Sequence, residues 1–270
     1  MMLCKTLSSE EFSPELHAAG SAARLRCYCR SGHSRKPLPA ILILPGGGYT
    51  TRGEVEAEPV ALSFLAEGFQ TFVLEYSVAP NKHPWQLIEA AAAMSFIRKQ
   101  AESLGVDPAR VAVCGFSAGG HLAGVIANLW NEPFIVGALG GEGRRFRPDA
   151  AVLCYPFVSG RWGGKALENI GVTYESNPEL SLENSVSENT PPCFIWHTAD
   201  DPMVSSMHSL LLAQTLREKG IPFELHIFGH DPHIMSTATP LSAISPEHID
   251  LHVAHWTKLC SEWLNATLQG

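Results

Sequence analysis

Six short apolar runs recur along the chain, at residues 41–44, 72–74, 111–114, 150–154, 193–196 and 225–228. Each is rich in β-branched, aromatic or small apolar side chains and none alternates with polar residues. Unbroken apolar runs of this length predict strands covered on both faces, as in a parallel sheet. Helical spacing fills the gaps. Residues 54–67 run into Gly68, residues 85–103 into Gly105 and residues 206–219 into Gly220, each glycine placed where a helix would stop. Residues 119–130 start directly after a strand run, and residues 248–268 close the sequence. Residues 23–28 are read as an edge strand. Strands alternating with helices through short joins predict an α/β fold with a mostly parallel central sheet flanked by helices.

Residues 156–192 interrupt this rhythm. They are rich in Gly, Ser, Asn and Glu, and too few for a domain of their own. A connection this long in a compact fold is often a lid or a pocket wall. The whole chain, 1–270, is therefore read as one domain with a lid-like insertion.

Composition narrows the function. Hydrophobic residues make up 45% and charged residues 17%, which excludes a disordered chain. With 19 Lys and Arg against 27 Asp and Glu, the net charge is −8, and no basic run is present to neutralise phosphates. Nucleic acid is excluded on that ground, and an anionic membrane surface is disfavoured. No stretch reaches the roughly 20 apolar residues of a bilayer span, and the first residues lack a signal-peptide core, so a cytoplasmic location is expected. The seven cysteines are scattered without a CxxC pair, and they predict reduced thiols and no metal site.

The chemistry concentrates in three places. Gly115-Phe116-Ser117-Ala118-Gly119 follows one strand run and opens a helix. A serine on so tight a turn projects above the sheet, and the helix N-terminus offers free N–H groups to a developing oxyanion. His121 follows the serine too closely to face it and is expected to pack beneath. Pro45-Gly46-Gly47-Gly48-Tyr49 follows an earlier run and exposes further donors. No Lys-Ser/Thr and no GxGxxG spacing accompanies the glycines, which argues against a phosphate loop. The expected oxyanion donors are the N–H groups of Ala118, Gly47 and Gly48.

A serine needs a base, and the base needs an orienting carboxylate. After 193–196 comes His197-Thr-Ala-Asp200-Asp201-Pro-Met-Val204. Asp201 is preferred because Val204 stands three residues on; Asp200 is the alternative. After 225–228 come His230 and His233, of which His233 is preferred as base. Tyr49, Trp85, Phe157 and Trp162 are candidate substrate-binding aromatics, with plain core packing as the rival reading.

These landmarks resemble the α/β-hydrolase superfamily, and more closely its acetylesterase and acetyl-xylan-esterase-like carboxylesterases, near the dipeptidyl-peptidase-like hydrolases. Tyr76-Ser-Val-Ala-Pro80 is similar to the Y-R-x-A-P turn of that group, with Ser in the Arg place. Two departures stand out: Pro45 replaces the His that lipase-like relatives carry before the glycines, and Ile234 replaces the Gly that usually follows the base. The resemblance implies a serine carboxylesterase acting on short acyl esters, foremost acetyl esters of sugars, through Ser117, His233 and Asp201 and without a cofactor. Peptide, formamide or thioester hydrolysis at the same site stays open, as does a hydrolase-like binding protein without turnover. The oligomeric state is not legible.

Overall fold

The computed structural model describes residues 2–30, 36–141, 143–229 and 232–269. Its frame is an eight-stranded sheet in the order β1-β2-β4-β3-β5-β6-β7-β8. The strands are β1 (Met2–Ser8), β2 (Arg24–Arg30), β3 (Leu38–Leu44), β4 (Gln70–Glu75), β5 (Val106–Phe116), β6 (Ala150–Cys154), β7 (Cys193–Thr198) and β8 (Phe223–Phe228). From β4 through β8 every pairing is parallel, while β2 joins β4 and β1 joins β2 in antiparallel fashion.

The pleat distributes the apolar runs between two cores. Ala40, Leu42 and Leu44 of β3, with Val111 and Val113 of β5, face the core that holds the helices Trp85–Lys99 and Ala118–Leu129. Ile41 and Ile43, with Ala112, Cys114 and Phe116, face the other, under the helices Glu58–Ala66 and Trp256–Thr267. Each fully buried aliphatic side chain contributes roughly 1.5–3 kcal/mol to holding these layers. That double coverage explains why the central strands read as unbroken apolar runs.

Four sequence expectations change. Residues 23–28 do belong to a strand, but β2 lies inside the sheet, and the edge is β1, whose mostly exposed residues gave no apolar signal. The expected helix 54–67 is a 3-10 turn, Glu54–Glu56, followed by the helix Glu58–Ala66, because Pro59 has no N–H to continue the first turn. Residues 85–103 divide into the helices Trp85–Lys99 and Ala101–Leu104. The last helix begins only at Trp256, after two short 3-10 turns.

The insertion 156–192 folds into short turns and helices, Gly160–Trp162, Lys165–Asn169, Pro178–Leu180 and Leu182–Ser185. Its Leu167, Leu180 and Leu182 are buried in the first core, so it is anchored rather than loosely draped. Among the described residues no single helix is long and apolar enough to cross a membrane.

Candidate active site

Every loop that carries a candidate residue leaves the carboxyl end of a strand, where ligands of open parallel sheets collect. Ser117 sits between β5 and the helix Ala118–Leu129 with φ 52° and ψ −117°. That conformation costs on the order of 1–3 kcal/mol for a residue with a Cβ. It persists because both backbone ends are held: Ser117 N–H donates to the Cys154 carbonyl at 3.0 Å, and the Ser117 carbonyl accepts from His121 N–H at 2.9 Å. The flanking glycines are required by close approach. A Cβ on Gly115 would stand 2.0 Å from the Gly119 carbonyl oxygen, and one on Gly119 would stand 2.1 Å from that of Leu44.

The serine meets an imidazole that lies 116 residues downstream. Ser117 Oγ is 2.8 Å from His233 Nε2, and His233 Nδ1 is 2.5 Å from Asp201 Oδ2. The other oxygen of Asp201 accepts the N–H groups of Met203 and Val204 at 2.8 and 2.9 Å. Burial alone would raise the Asp201 carboxyl, but hydrogen bonds from His197 and His233 outweigh it and hold the group well below the usual carboxylate range. Asp201 therefore stays ionised and acts as an acceptor for the imidazole Nδ1–H. Of the two acids considered, Asp201 is the one beside the imidazole; His230 lies outside the described residues.

Sequence reasoning missed three supporting groups. His197, fully buried, reaches the Val204 carbonyl through Nε2 at 2.8 Å and Ser209 Oγ through Nδ1 at 2.7 Å. Its Nε2 also lies 3.4 Å from Asp201 Oδ2, so it braces the turn that presents the acid. Tyr155 packs its ring edge-on to His233, with centroids 4.9 Å apart. Its oxygen accepts the Ser236 N–H at 3.0 Å and donates to Glu56 Oε1 at 2.7 Å. Glu56, only 2% exposed, also accepts the Gly46 N–H through Oε2 at 2.7 Å. Nothing in the acidic stretch Glu54-Val-Glu56-Ala-Glu58 distinguishes the middle glutamate before it folds.

The glycine loop arches over Ser117. Gly47 takes φ 129°, and a Cβ there would meet the Thr51 carbonyl at 2.4 Å. The Gly47, Gly48 and Ala118 N–H groups make no hydrogen bond within the described residues, as donors reserved for a ligand would. Asn169, from the insertion, holds the loop in place by donating to the Gly48 carbonyl at 2.8 Å. Left-handed backbone gathers around the site: besides Ser117, it occurs at Tyr49, Tyr155, Ile234 and Ser236. At Ile234, φ is 66°, a conformation that glycine holds without strain and a β-branched residue rarely adopts. The glycine expected after the base in similar chains would be at ease there.

These groups open into a cavity of about 540 Å³. Gly47, Gly48, Ser117, Ala118 and His233 form its floor. Phe157, Met203, Val204 and Ile234 supply apolar walls, while Thr50, Thr51, Lys165 and Asn169 supply polar ones. Of the four aromatics expected to bind substrate, only Phe157 lines it. Tyr49 is buried because its hydroxyl donates to His121 Nδ1 at 2.7 Å, the opposite ring nitrogen being 2.6 Å from the Leu180 carbonyl. His121 thus packs beneath the site as expected, and burial lowers its pKa to about 4. Trp85 packs against the first core. Trp162 is half exposed and leans on His208 rather than on the cavity. Among the described residues no three His, Cys, Asp or Glu side chains converge as a metal ligand set.

Comparison with known proteins gives this geometry a family. The family model BD-FAE matches residues 25–146. The solved acetyl ester-xyloside bifunctional hydrolase of Caldicellulosiruptor lactoaceticus is 35% identical, over 97% of this chain and 96% of that one, with a TM-score of 0.83. A solved sugar hydrolase of Lactococcus lactis is 31% identical over 99% of both chains, with a TM-score of 0.81. Among curated proteins, endo-1,4-beta-xylanase B of Butyrivibrio fibrisolvens is 36% identical over 73% of this chain. The acetylxylan esterase of Xylanibacter ruminicola is 26% identical over 86%. The chain spans 32% and 48% of the length of those two proteins. With 35% identity running through nearly the whole of a solved relative, the protein belongs to the α/β-hydrolase superfamily, among its esterases.

Proposed function

We propose that the protein is a serine carboxylesterase that removes short acyl groups, foremost acetyl, from carbohydrate alcohols. The observation that carries this reading is the hydrogen-bonded series Asp201–His233–Ser117 opening into a cavity of small-ligand size. His233 Nε2 takes the hydroxyl proton as Ser117 Oγ attacks the ester carbonyl. Asp201 keeps the other nitrogen protonated and stabilises the imidazolium that forms. The carbonyl oxygen gains negative charge beside the Gly47, Gly48 and Ala118 N–H groups, which line the cavity and make no hydrogen bond among the described residues. His233 then protonates the departing alcohol, and the acyl group remains on Ser117. Water, deprotonated by the same imidazole, attacks this acyl-enzyme and releases the acid.

The acetyl preference draws support from the acetyl ester-xyloside hydrolase and the acetylxylan esterase, the relatives whose names specify an acetyl ester. Thr50, Thr51, Lys165 and Asn169 offer hydrogen-bonding partners to sugar hydroxyls on one side of the cavity. Ser117→Ala should abolish release of nitrophenol from its acetate ester. Mass spectrometry of acetylated xylo-oligosaccharides should show loss of acetyl groups with the wild-type protein and none with the variant. Undiminished release by Ser117→Ala, or equal rates on acetyl and long-chain esters, would overturn the respective part of the reading.

A further inference from the structure

We infer that Glu56 is a positioning residue of this site: a buried carboxylate that pins the oxyanion loop and gives His233 a second negative neighbour beside Asp201. The inference deepens the esterase reading and rests on it where turnover is concerned.

The geometry ties Glu56 to both halves of the site. Its Oε2 accepts the N–H of Gly46, the residue before the Gly47 donor, and Gly53 N–H closes the same loop onto the Gly46 carbonyl at 2.9 Å. Its Oε1 accepts the hydroxyl of Tyr155, whose ring lies against His233. The Ser236 N–H already donates to that tyrosine oxygen, leaving the phenolic proton for Glu56. The base loop is fastened to the same turn again, since Ser236 Oγ donates to the Val55 carbonyl at 2.5 Å. One carboxyl thus fixes the distance between the loop that holds the oxyanion and the loop that holds the base.

Glu56 also lines the cavity together with Ser117 and His233. Two donors aim at it, as a carboxylate requires. Burial raises its pKa, and the bonds from Tyr155 and Gly46 and the charge of His233 offset that only in part, so its carboxyl stays above the usual carboxylate range. That attraction is mutual: an anionic Glu56 favours the imidazolium that forms when Ser117 gives up its proton. Among the described residues, the other titratable or charged groups around the pair are His197, on β7, Asp201, from the turn after it, and Tyr155 after β6. Tyr76, after β4, and Arg52, whose guanidinium donates to the Tyr76 carbonyl at 2.6 Å, complete the set on the oxyanion side, with Lys165 at the cavity wall.

Two variants separate the tether from the charge. Glu56→Gln keeps an acceptor for Gly46 N–H and so keeps the tether of the glycine loop; the charge is lost, and with it the acceptor of the Tyr155 hydroxyl, which faces an amide NH2 instead. Glu56→Ala removes both bonds. Nuclear magnetic resonance of ring-labelled histidines, with the His233 signal assigned through His233→Asn, reads the imidazole directly and needs no substrate. In Glu56→Gln, His233 is expected to titrate about one pH unit lower than in the wild type, with thermal unfolding retained. The acid limb of kcat/KM on nitrophenyl acetate should move by the same amount, and kcat on the alkaline plateau should fall several-fold, because the imidazolium formed in the transition state loses the same stabilisation. Glu56→Ala is expected to lose about 10²-fold in kcat with little change in KM, as for a misplaced oxyanion donor. An unmoved His233 titration in Glu56→Gln overturns the inference, whether or not Glu56→Ala folds. Wild-type protein that fails to turn over any ester would end the esterase reading, and the imidazole titration would still decide whether Glu56 charges the site.

Discussion

Replacing Asp201 by asparagine tests the catalytic reading at its narrowest point. The substitution changes one oxygen into an NH2 group, and the structure dictates which. Met203 and Val204 direct two N–H groups at Oδ1, so the asparagine carbonyl must occupy that position. The reverse orientation would leave those donors facing a third, with a cost of about 1–3 kcal/mol for each buried group left unsatisfied. The NH2 therefore stands where Oδ2 was, beside His233 Nδ1. It can only donate, which makes Nδ1 the acceptor and moves the ring proton to Nε2. That proton then points at Ser117 Oγ across 2.8 Å, and the imidazole has no lone pair there to accept the serine proton. The expected loss in kcat is roughly 10⁴-fold, about 5.4 kcal/mol of barrier, with the fold intact. Steady-state turnover of nitrophenyl acetate at neutral pH, beside a thermal melt, measures both. A folded variant that keeps a tenth or more of wild-type turnover would refute the role given to Asp201.

Three further outcomes are expected. Gly119→Ala puts a Cβ against the Leu44 and Pro45 carbonyl oxygens, which are backbone and cannot step aside, so urea unfolding should show a loss of about 3 kcal/mol together with lost turnover. Tyr49→Phe leaves His121 Nδ1 without its donor, so about 1–3 kcal/mol of stability should go while KM stays put, because Tyr49 does not reach the cavity. The buried neutral His121 makes stability fall with acid: its pKa drops from 6.5 to about 4 on folding, so the protein should lose roughly 3 kcal/mol between pH 6.5 and pH 4, and none of it above that window. Melting temperatures across that range should flatten in His121→Gln.

The parallel core was legible because its strands are covered on both faces, and burial on both faces writes an unbroken apolar run. β1 was not legible, since an edge strand facing water carries residues such as Lys5 and Thr6 that would serve a loop equally well. Ser117, Asp201 and His233 could be picked out because each stands just past a strand run in a fixed order. Chain order does not give side-chain direction, however. Tyr49 points down to His121 and Trp162 out to His208, and nothing in their neighbours' identities marks the difference. Glu56 and Tyr155 were hidden for the converse reason: they pair with each other across 99 residues of chain, and their remaining partners here, Gly46 and Ser236, contribute backbone groups.

The anchoring of residues 156–192 reaches beyond stability. Leu180 is clasped by His121 below the serine, Asn169 grips the glycine loop, and three leucines of the segment are sunk among the helices. Such a cover cannot swing like a flap. Substrate is then expected to enter without a lid opening, so the rate should follow the dissolved ester smoothly through its solubility limit, with no jump when droplets form.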